Sequence, residues 1–409
     1  MKVWMVLLAA AAALTVRATE KGTFGYDAEF VAKHAKTIVL KSEDARVLLV
    51  PDYQGRVMTS TAGGDAGPSY GFLKYQVIEA GLLTPEQRKG KLEDHIYVFG
   101  GEERFWMGPE GGQFAIFFAK GAEFKFDDWH TPAVIDSEPF DLVSSSDTEA
   151  KFAKIFALKN YSGTEFYGKV ERTVKLMGVS ESAAAMGISL GVGAKSVGYE
   201  TENKLTNEGR DPWTPEKGLL SIWLLGMYNP APHTTIVIPF KAGDDEALGP
   251  KVNDAYFGKV PAEYLVVKDN VLLFKGDGTR RGKIGISPKR SLGLAGSYDA
   301  DTKTLTIVTY NVQDAPNGFV NSMWEMQKEP YAGDVLNSYN DGSPGEGKPP
   351  LGPFYEIETS SPAAALKPGE TMTHISRTIH IQGSEANLDE IAQRKFGVSL
   401  NEIAGTFAK

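Results

Sequence analysis

"PFYEIETSSPAAALKPGE", residues 353–370, sets two carboxylates, Glu356 and Glu358, two positions apart in a short apolar run. In a β-strand, residues i and i+2 point to the same face. Phe354, Glu356 and Glu358 therefore share one side, and Tyr355, Ile357 and Thr359 the other. Like charges side by side repel, and burying either is costly without a counter-charge or hydrogen bonds. Such a strand either carries its own cations or has chemistry to perform. After Glu370 the chain continues into "TMTHISRTIHI", a second alternating segment, so the stretch reads as a strand pair joined by a Pro-Gly turn.

The same alternation runs through most of the chain. "ARVLLVPDYQGRVMTST", "KFAKIFAL", "KVERTVKLM", "HTTIVIPF", "EYLVVKDNVLLF", "GKIGIS" and "TKTLTIVTYNV" are each bounded by Gly, Pro, Asn or Asp. "SYDADTKTLTIVTYN" predicts a hairpin with its turn near Asp299–Lys303. Forty-four glycines and 22 prolines supply the turns that a sandwich or barrel needs. Helical signal is scarce. "SEANLDEIAQRKFG" places Leu388, Ile391, Ala392 and Phe396 on one face, with Ser384 as N-cap and Gly397 as C-cap. It predicts a closing helix within a C-terminal extension at about 384–409. Without a linker-like shift in composition, residues 19–409 read as one all-β domain of large antiparallel sheets. The tract 337–353 is the longest irregular stretch, which in a compact domain points to function or disorder.

Residues 1–18, "MKVWMVLLAAAAALTVRA", have Lys2, an apolar run and a small-x-small site at Val16–Ala18. They read as a signal peptide, against the alternative of an uncleaved anchor, for which the apolar run is short. The expected location is secreted or periplasmic, with no membrane contact after cleavage. Loss of Lys2 and Arg17 takes the formal charge from −9 to −11, which disfavours nucleic acid as a partner. The absence of cysteine excludes disulfides, thiolate metal sites and a Cys nucleophile. Oligomeric state is left open.

Several stretches carry candidate chemistry. "GISLG", residues 187–191, matches a nucleophile elbow but lacks the following helix, so it is expected to be a plain strand and Ser189 no nucleophile. "NSYNDG", residues 337–342, fails the EF-hand spacing. Asp334, Asn340 and Asp341 still offer oxygen ligands to a hard cation such as calcium, against the plainer role of organising a turn. No other cofactor is expected, and the histidines show no zinc spacing. "GGEERFWMGPEGGQFAIFF", residues 100–118, sets Arg104, Trp106 and Glu110 among glycines that would let a ligand approach the backbone. "NSMWEMQKEPYAGDVLNSYNDG", residues 321–342, adds Trp324, Asp334 and Asn337. Aromatic faces mixed with carboxylates and amides suit a mono- or oligosaccharide. The competing account makes Trp106 and Trp324 core residues and pairs the charges on the surface.

"EIETSSPAAALKPGETMTHISRTIHI" resembles the C-terminal strand pair of the galactose mutarotase (aldose 1-epimerase) family, where a Glu-Thr on a strand is followed by a leucine-x-Pro-Gly-Glu turn. "YETENKLTNEG" and "DYQGRVMTSTAGG" resemble two further strands of that family. The resemblance implies a galactose mutarotase-like supersandwich, in a secreted branch, with Glu358 as the base that removes the anomeric proton. It also implies a histidine, the acid, shortly after Leu-Thr-Asn. This sequence has "LLSIWLLGMYNP" there, with Ile222–Trp223 at the expected place. The paired hexose-binding motif upstream is absent as well, although His95 and His130 lie in that half. Three functions follow as expectations. One is an exported carbohydrate-binding protein without efficient mutarotation. The second is an epimerase or lyase using Glu358 as base, with Glu356 held protonated beside it as a substitute acid. The third is a structural envelope protein. In the blander account of the pair, a cation such as Arg104 neutralises Glu356.

Overall fold

The computed structural model describes residues 20–345 and 347–408; the signal segment read at 1–18 lies outside the described residues. Among the described residues the chain forms eighteen strands in three antiparallel sheets. First come β1 (Ile38–Ser42), β2 (Ala45–Val50) and β3 (Arg56–Thr61), a three-stranded sheet. Next are β4 (Arg104–Gly108), β5 (Asp141–Ser145), β6 (Glu149–Lys159), β7 (Glu165–Met177) and β8 (Lys195–Asn207). Then follow β9 (Ser221–Tyr228), β10 (Thr234–Pro239), β11 (Leu265–Val267), β12 (Val271–Lys275) and β13 (Gly282–Ile286). The hairpin of β14 (Leu294–Asp299) and β15 (Thr304–Tyr310) turns where the sequence places it. β16 (Leu336–Asn340), β17 (Tyr355–Ser360) and β18 (Thr371–Gln382) complete the set.

The large sheet has ten strands in the order β11-β12-β10-β14-β15-β18-β8-β7-β6-β5, and the third sheet five, β13-β16-β17-β9-β4. Strand parity explains how they pack. In β10 and β12, Ile236, Ile238, Leu272 and Phe274 face a core completed by Ile284, Ile286, Leu336, Tyr355 and Ile357 of the five-stranded sheet. Their neighbours Val237, Val271 and Leu273 face the opposite way, where Leu388, Ile391, Ala392 and Phe396 cover them. The ten-stranded sheet is thus covered on one face by strands and on the other by helix. That helix spans Glu385–Phe396, with the Ser384 hydroxyl accepting the Asn387 N–H and Gly397 closing it at φ 72°. A second helix, Leu400–Gly405, adds Leu400 and Ile403 to the same core.

Two expectations need correction. "GISLG" is not a strand: it follows a helix, Val179–Met186, that ends at left-handed Gly187, and it continues as irregular chain with Ser189 exposed. The alanines of "VSESAAAM" favour helix over strand. A helix at Phe24–Ala32, capped by Thr23, was also not foreseen. It seats Phe24 and Val31 against Leu48, Val50 and Met58 of the three-stranded sheet.

Candidate functional site

Tyr355 and Ile357 of β17 enter the core between the two large sheets, so Glu356 and Glu358 must face away from it. The ladder then aligns residues across the five-stranded sheet in rows. One row reads Gly285, Asn337, Glu358, Leu225 and Arg104; the next reads Lys283, Tyr339, Glu356 and Met227. Arg104 stands in the row of Glu358 and Lys283 in the row of Glu356, yet each cation reaches the glutamate of the other row. Arg104 Nη2 donates to Glu356 Oε1 at 2.5 Å, and Lys283 Nζ to Glu358 Oε2 at 2.9 Å. Two crossed diagonal ion pairs therefore hold the two like charges of β17 in place. The Trp223 indole N–H also donates to Glu358 Oε2, at 3.0 Å. Glu358 Oε1, fully buried, has no partner among the described residues, and neither have Trp106 Nε1 and Arg104 Nε.

Above this sheet face lies a cleft of ≈ 690 Å³, open mouth included, walled by Arg104, Trp106, Trp223, Lys283, Tyr339 and Glu356. Loops add Glu110, Phe126, Trp129, Phe257, Trp324 and Phe354, so four of the chain's six tryptophans line one cleft. Trp129 stacks on Trp324 with centroids 5.9 Å apart. The Arg104 guanidinium lies 4.8 Å from the Trp106 ring centroid, and Lys283 Nζ 4.8 Å from that of Trp223. The glycines of "GPEGG" serve the protein's own backbone, not a ligand's. A Cβ on Gly111 would lie 2.3 Å from the Met323 carbonyl oxygen, and closing that gap is what brings the Trp324 loop over the cleft.

The electrostatics follow from three carboxylates and two cations in one dry place. Burial works against the Lys283 ammonium, but Glu358, Glu110 and Glu356 offset it and leave its pKa raised. Burial pushes Glu110 up to about 7; Lys283 and the Trp324 and Trp129 indoles pull the other way, and Glu358 adds repulsion. Glu356 is raised too, first by burial and then by Glu358, although Arg104 and Lys283 oppose both. Near neutral pH the cleft thus holds a carboxylate proton that ordinary glutamates would have lost.

The sequence-derived residues divide among three places. Arg104, Trp106, Glu110, Trp324 and Glu356 line the cleft. Glu358 sits behind Trp223 and Lys283 at 0 % exposure. Asp334 and Asn337 belong to a smaller adjoining pocket, walled also by Trp223, Tyr256 and Lys283. There Asp334 accepts from the Tyr256 hydroxyl at 2.7 Å and from Asn253 at 2.9 Å. Asn340 is a correction: three residues after Asn337 on a strand, it faces the opposite side, bonded to Gly278, Asp277 and Arg280. Asp341 is another. It accepts from the Tyr339 hydroxyl and the Gly352 N–H, fastening the 342–352 loop and not lining the cleft. Asp334, Asn340 and Asp341 therefore do not converge on a cation. Among the described residues no group of three His, Cys, Asp or Glu could hold a metal.

Parity alone could not find Lys283, Trp223 or Trp129. The lone lysine inside the apolar strand "GKIGIS" is the one available signal, and it became meaningful only with a partner strand. His95 and His130 stack on each other, and His95 braces the Trp129 carbonyl from outside. His233, exposed in the connection just before β10, bonds to Asp301 of the β14–β15 turn.

No curated protein matches the chain. Similar solved structures include the Slr1438 protein from Synechocystis sp. PCC 6803, 13% identical, with 86% of this chain and 96% of that chain covered at a TM-score of 0.48. A galactose mutarotase-like protein from Lactobacillus casei ATCC 334 is 12% identical, with 85% and 100% covered at 0.45. A galactose mutarotase related enzyme from Lactobacillus acidophilus is 9% identical, with 85% and 98% covered at 0.46. Two of these three carry the family name that the motif around Glu358 resembles. TM-scores below 0.5 make this a likeness of outline, and what the site can do follows from its own residues. Residues 22–407 match the model described as a family of unknown function (DUF6786), and the chain belongs to that family.

Proposed function

We propose that this is an exported carbohydrate-binding protein whose cleft holds a mono- or oligosaccharide without efficient mutarotation. The supporting observation is the cleft wall itself: four tryptophans beside two carboxyl groups, Glu110 and Glu356, the second held by Arg104. Sugar C–H faces stack on indoles, while the carboxyl groups of Glu110 and Glu356 bond to hydroxyls. Glu358 is poorly placed for proton abstraction. It is fully buried, neutralised by Lys283, and capped by the N–H of Trp223, an indole that cannot shuttle a proton as a histidine does. Export rests on the residues 1–18 pattern.

A second reading has its own support. Glu110 with its raised pKa, and Glu356 raised beside it, could act as acid and base in an epimerase or lyase. Calorimetry on a saccharide panel, paired with polarimetry on the same sugars, separates the readings. Binding with anomer exchange at the uncatalysed rate is the expected result. Trp324→Ala should weaken binding by about 1–2 kcal/mol through lost stacking. Rapid exchange, abolished by Glu110→Gln, would establish the enzyme. Failure of every sugar to bind would leave a structural role.

A further inference from the structure

The cleft has a third cation, and it differs from the other two. Arg104 and Lys283 are committed to Glu356 and Glu358. Arg281 lines the same cleft, two residues before Lys283 along the edge of the sheet, and makes no ion pair among the described residues. Its guanidinium carbon lies 3.7 Å from the Phe257 ring centroid, which holds the planar group flat and leaves its N–H edges free. Past Arg281 and Phe257 a second cavity opens, ≈ 280 Å³ with its mouth, lined by Lys259, Arg280 and Arg281 and by no acidic residue. Arg280 lies 5.4 Å from the Tyr264 ring centroid on its wall. The backbone beneath is fixed, because Gly342 packs so closely that a Cβ there would come within 2.3 Å of the Arg281 nitrogen. In a chain of formal charge −9, three cations around an acid-free cavity are out of keeping with the rest of the surface.

We propose that the saccharide taken by the cleft carries an oxyanion, a carboxylate or sulfate, that seats against Arg281, Arg280 and Lys259. This rests on the saccharide reading above and names its substrate class. A sugar ring stacked in the tryptophan-lined cleft would place a substituent, or the next ring, across Arg281 into the basic cavity. A guanidinium fork can pair two of its N–H groups with two oxygens of one carboxylate or sulfate, a charge-assisted contact that a neutral sugar cannot offer.

The test is calorimetry on the full mature chain with galacturonate and mannuronate oligomers, a sulfated galactose oligomer, and neutral galactose and mannose oligomers of equal length. At low salt at least one anionic oligomer should bind roughly tenfold tighter than its neutral counterpart, and salt should narrow the gap. Which anionic oligomer wins identifies carboxylate or sulfate. Arg281→Gln should erase the preference. The double variant Lys259→Gln with Arg280→Gln should reduce it. Equal affinity for neutral and anionic oligomers, or a preference that survives Arg281→Gln, would overturn the proposal and leave the saccharide reading standing. No binding by any oligomer would remove both.

Discussion

Beside Lys283 and Glu358, the Glu110 carboxyl keeps its proton up to about pH 7, chiefly because it is buried. An unfolded chain releases that proton near the ordinary glutamate value, so the native state binds it more tightly. Stability from this group is therefore full below that ordinary value and is lost as pH rises through about 7. Glu110→Gln should match the wild type near pH 4 and exceed it at pH 8. The gain is at most about 3 kcal/mol, and less because the side chain is not wholly shielded from solvent. Denaturant midpoints at the two pH values measure it, and parallel pH profiles for both proteins would refute it. Glu358→Gln should act on the same group from a distance. It removes a like charge and leaves Lys283 to Glu110, so the Glu110 titration should move down, as read by tryptophan fluorescence against pH. The shared face of Glu356 and Glu358 was legible in the sequence because parity is local. Their partners were not. Arg104 is 252 residues from Glu356 and Lys283 is 75 from Glu358, and only sheet order brings them together.

At the scale of single strands, β13 shows what an edge position allows. Gly285 stands opposite Asn337, and a Cβ there would lie 2.0 Å from Asp334 Oδ2. Asp334 is held by Tyr256 and Asn253, so it cannot easily yield. Gly285→Ala should cost about 1–3 kcal/mol of stability through overpacking, seen as a lowered melting temperature. An unchanged melting temperature would mean that Asp334 swings aside freely. Strands and the closing helix were readable because alternation and caps are local signals: Ser384 and Gly397 do what their chemistry suggests. "GISLG" alternates like a strand, but the alanine-rich helix before it and its stop at left-handed Gly187 decide the local path instead. The parity that sets Glu356 and Glu358 on one face sets Asn340, three positions from Asn337, on the other.

Over the whole molecule, the ten-stranded sheet separates two jobs. One face supports the strands under the cleft, and the other is covered by the helices Glu385–Phe396 and Leu400–Gly405. Phe396, 1 % exposed, packs against β14, where a Cβ on Gly296 would meet its ring. Phe396→Ala should cost about 3–5 kcal/mol in denaturant unfolding. Saccharide affinity at temperatures where the variant stays folded should not move. Loss of affinity in the folded variant would show that the two faces are coupled.

The crossed ion pairs also bear on how the chain avoids assembling wrongly. Were β17 to slip by one position against β9, Glu356 and Glu358 would turn into the space now filled by Tyr355 and Ile357, among Ile236, Leu272 and Phe274. Two ionised carboxylates would then face hydrocarbon with no cation in reach, while two large apolar side chains were expelled into the cleft. A slip of two positions would keep the face but carry both glutamates out of line with Arg104 and Lys283. The charges that make this strand costly when paired correctly make every neighbouring alignment costlier still, so β17 acts as a proofreading element for its own sheet.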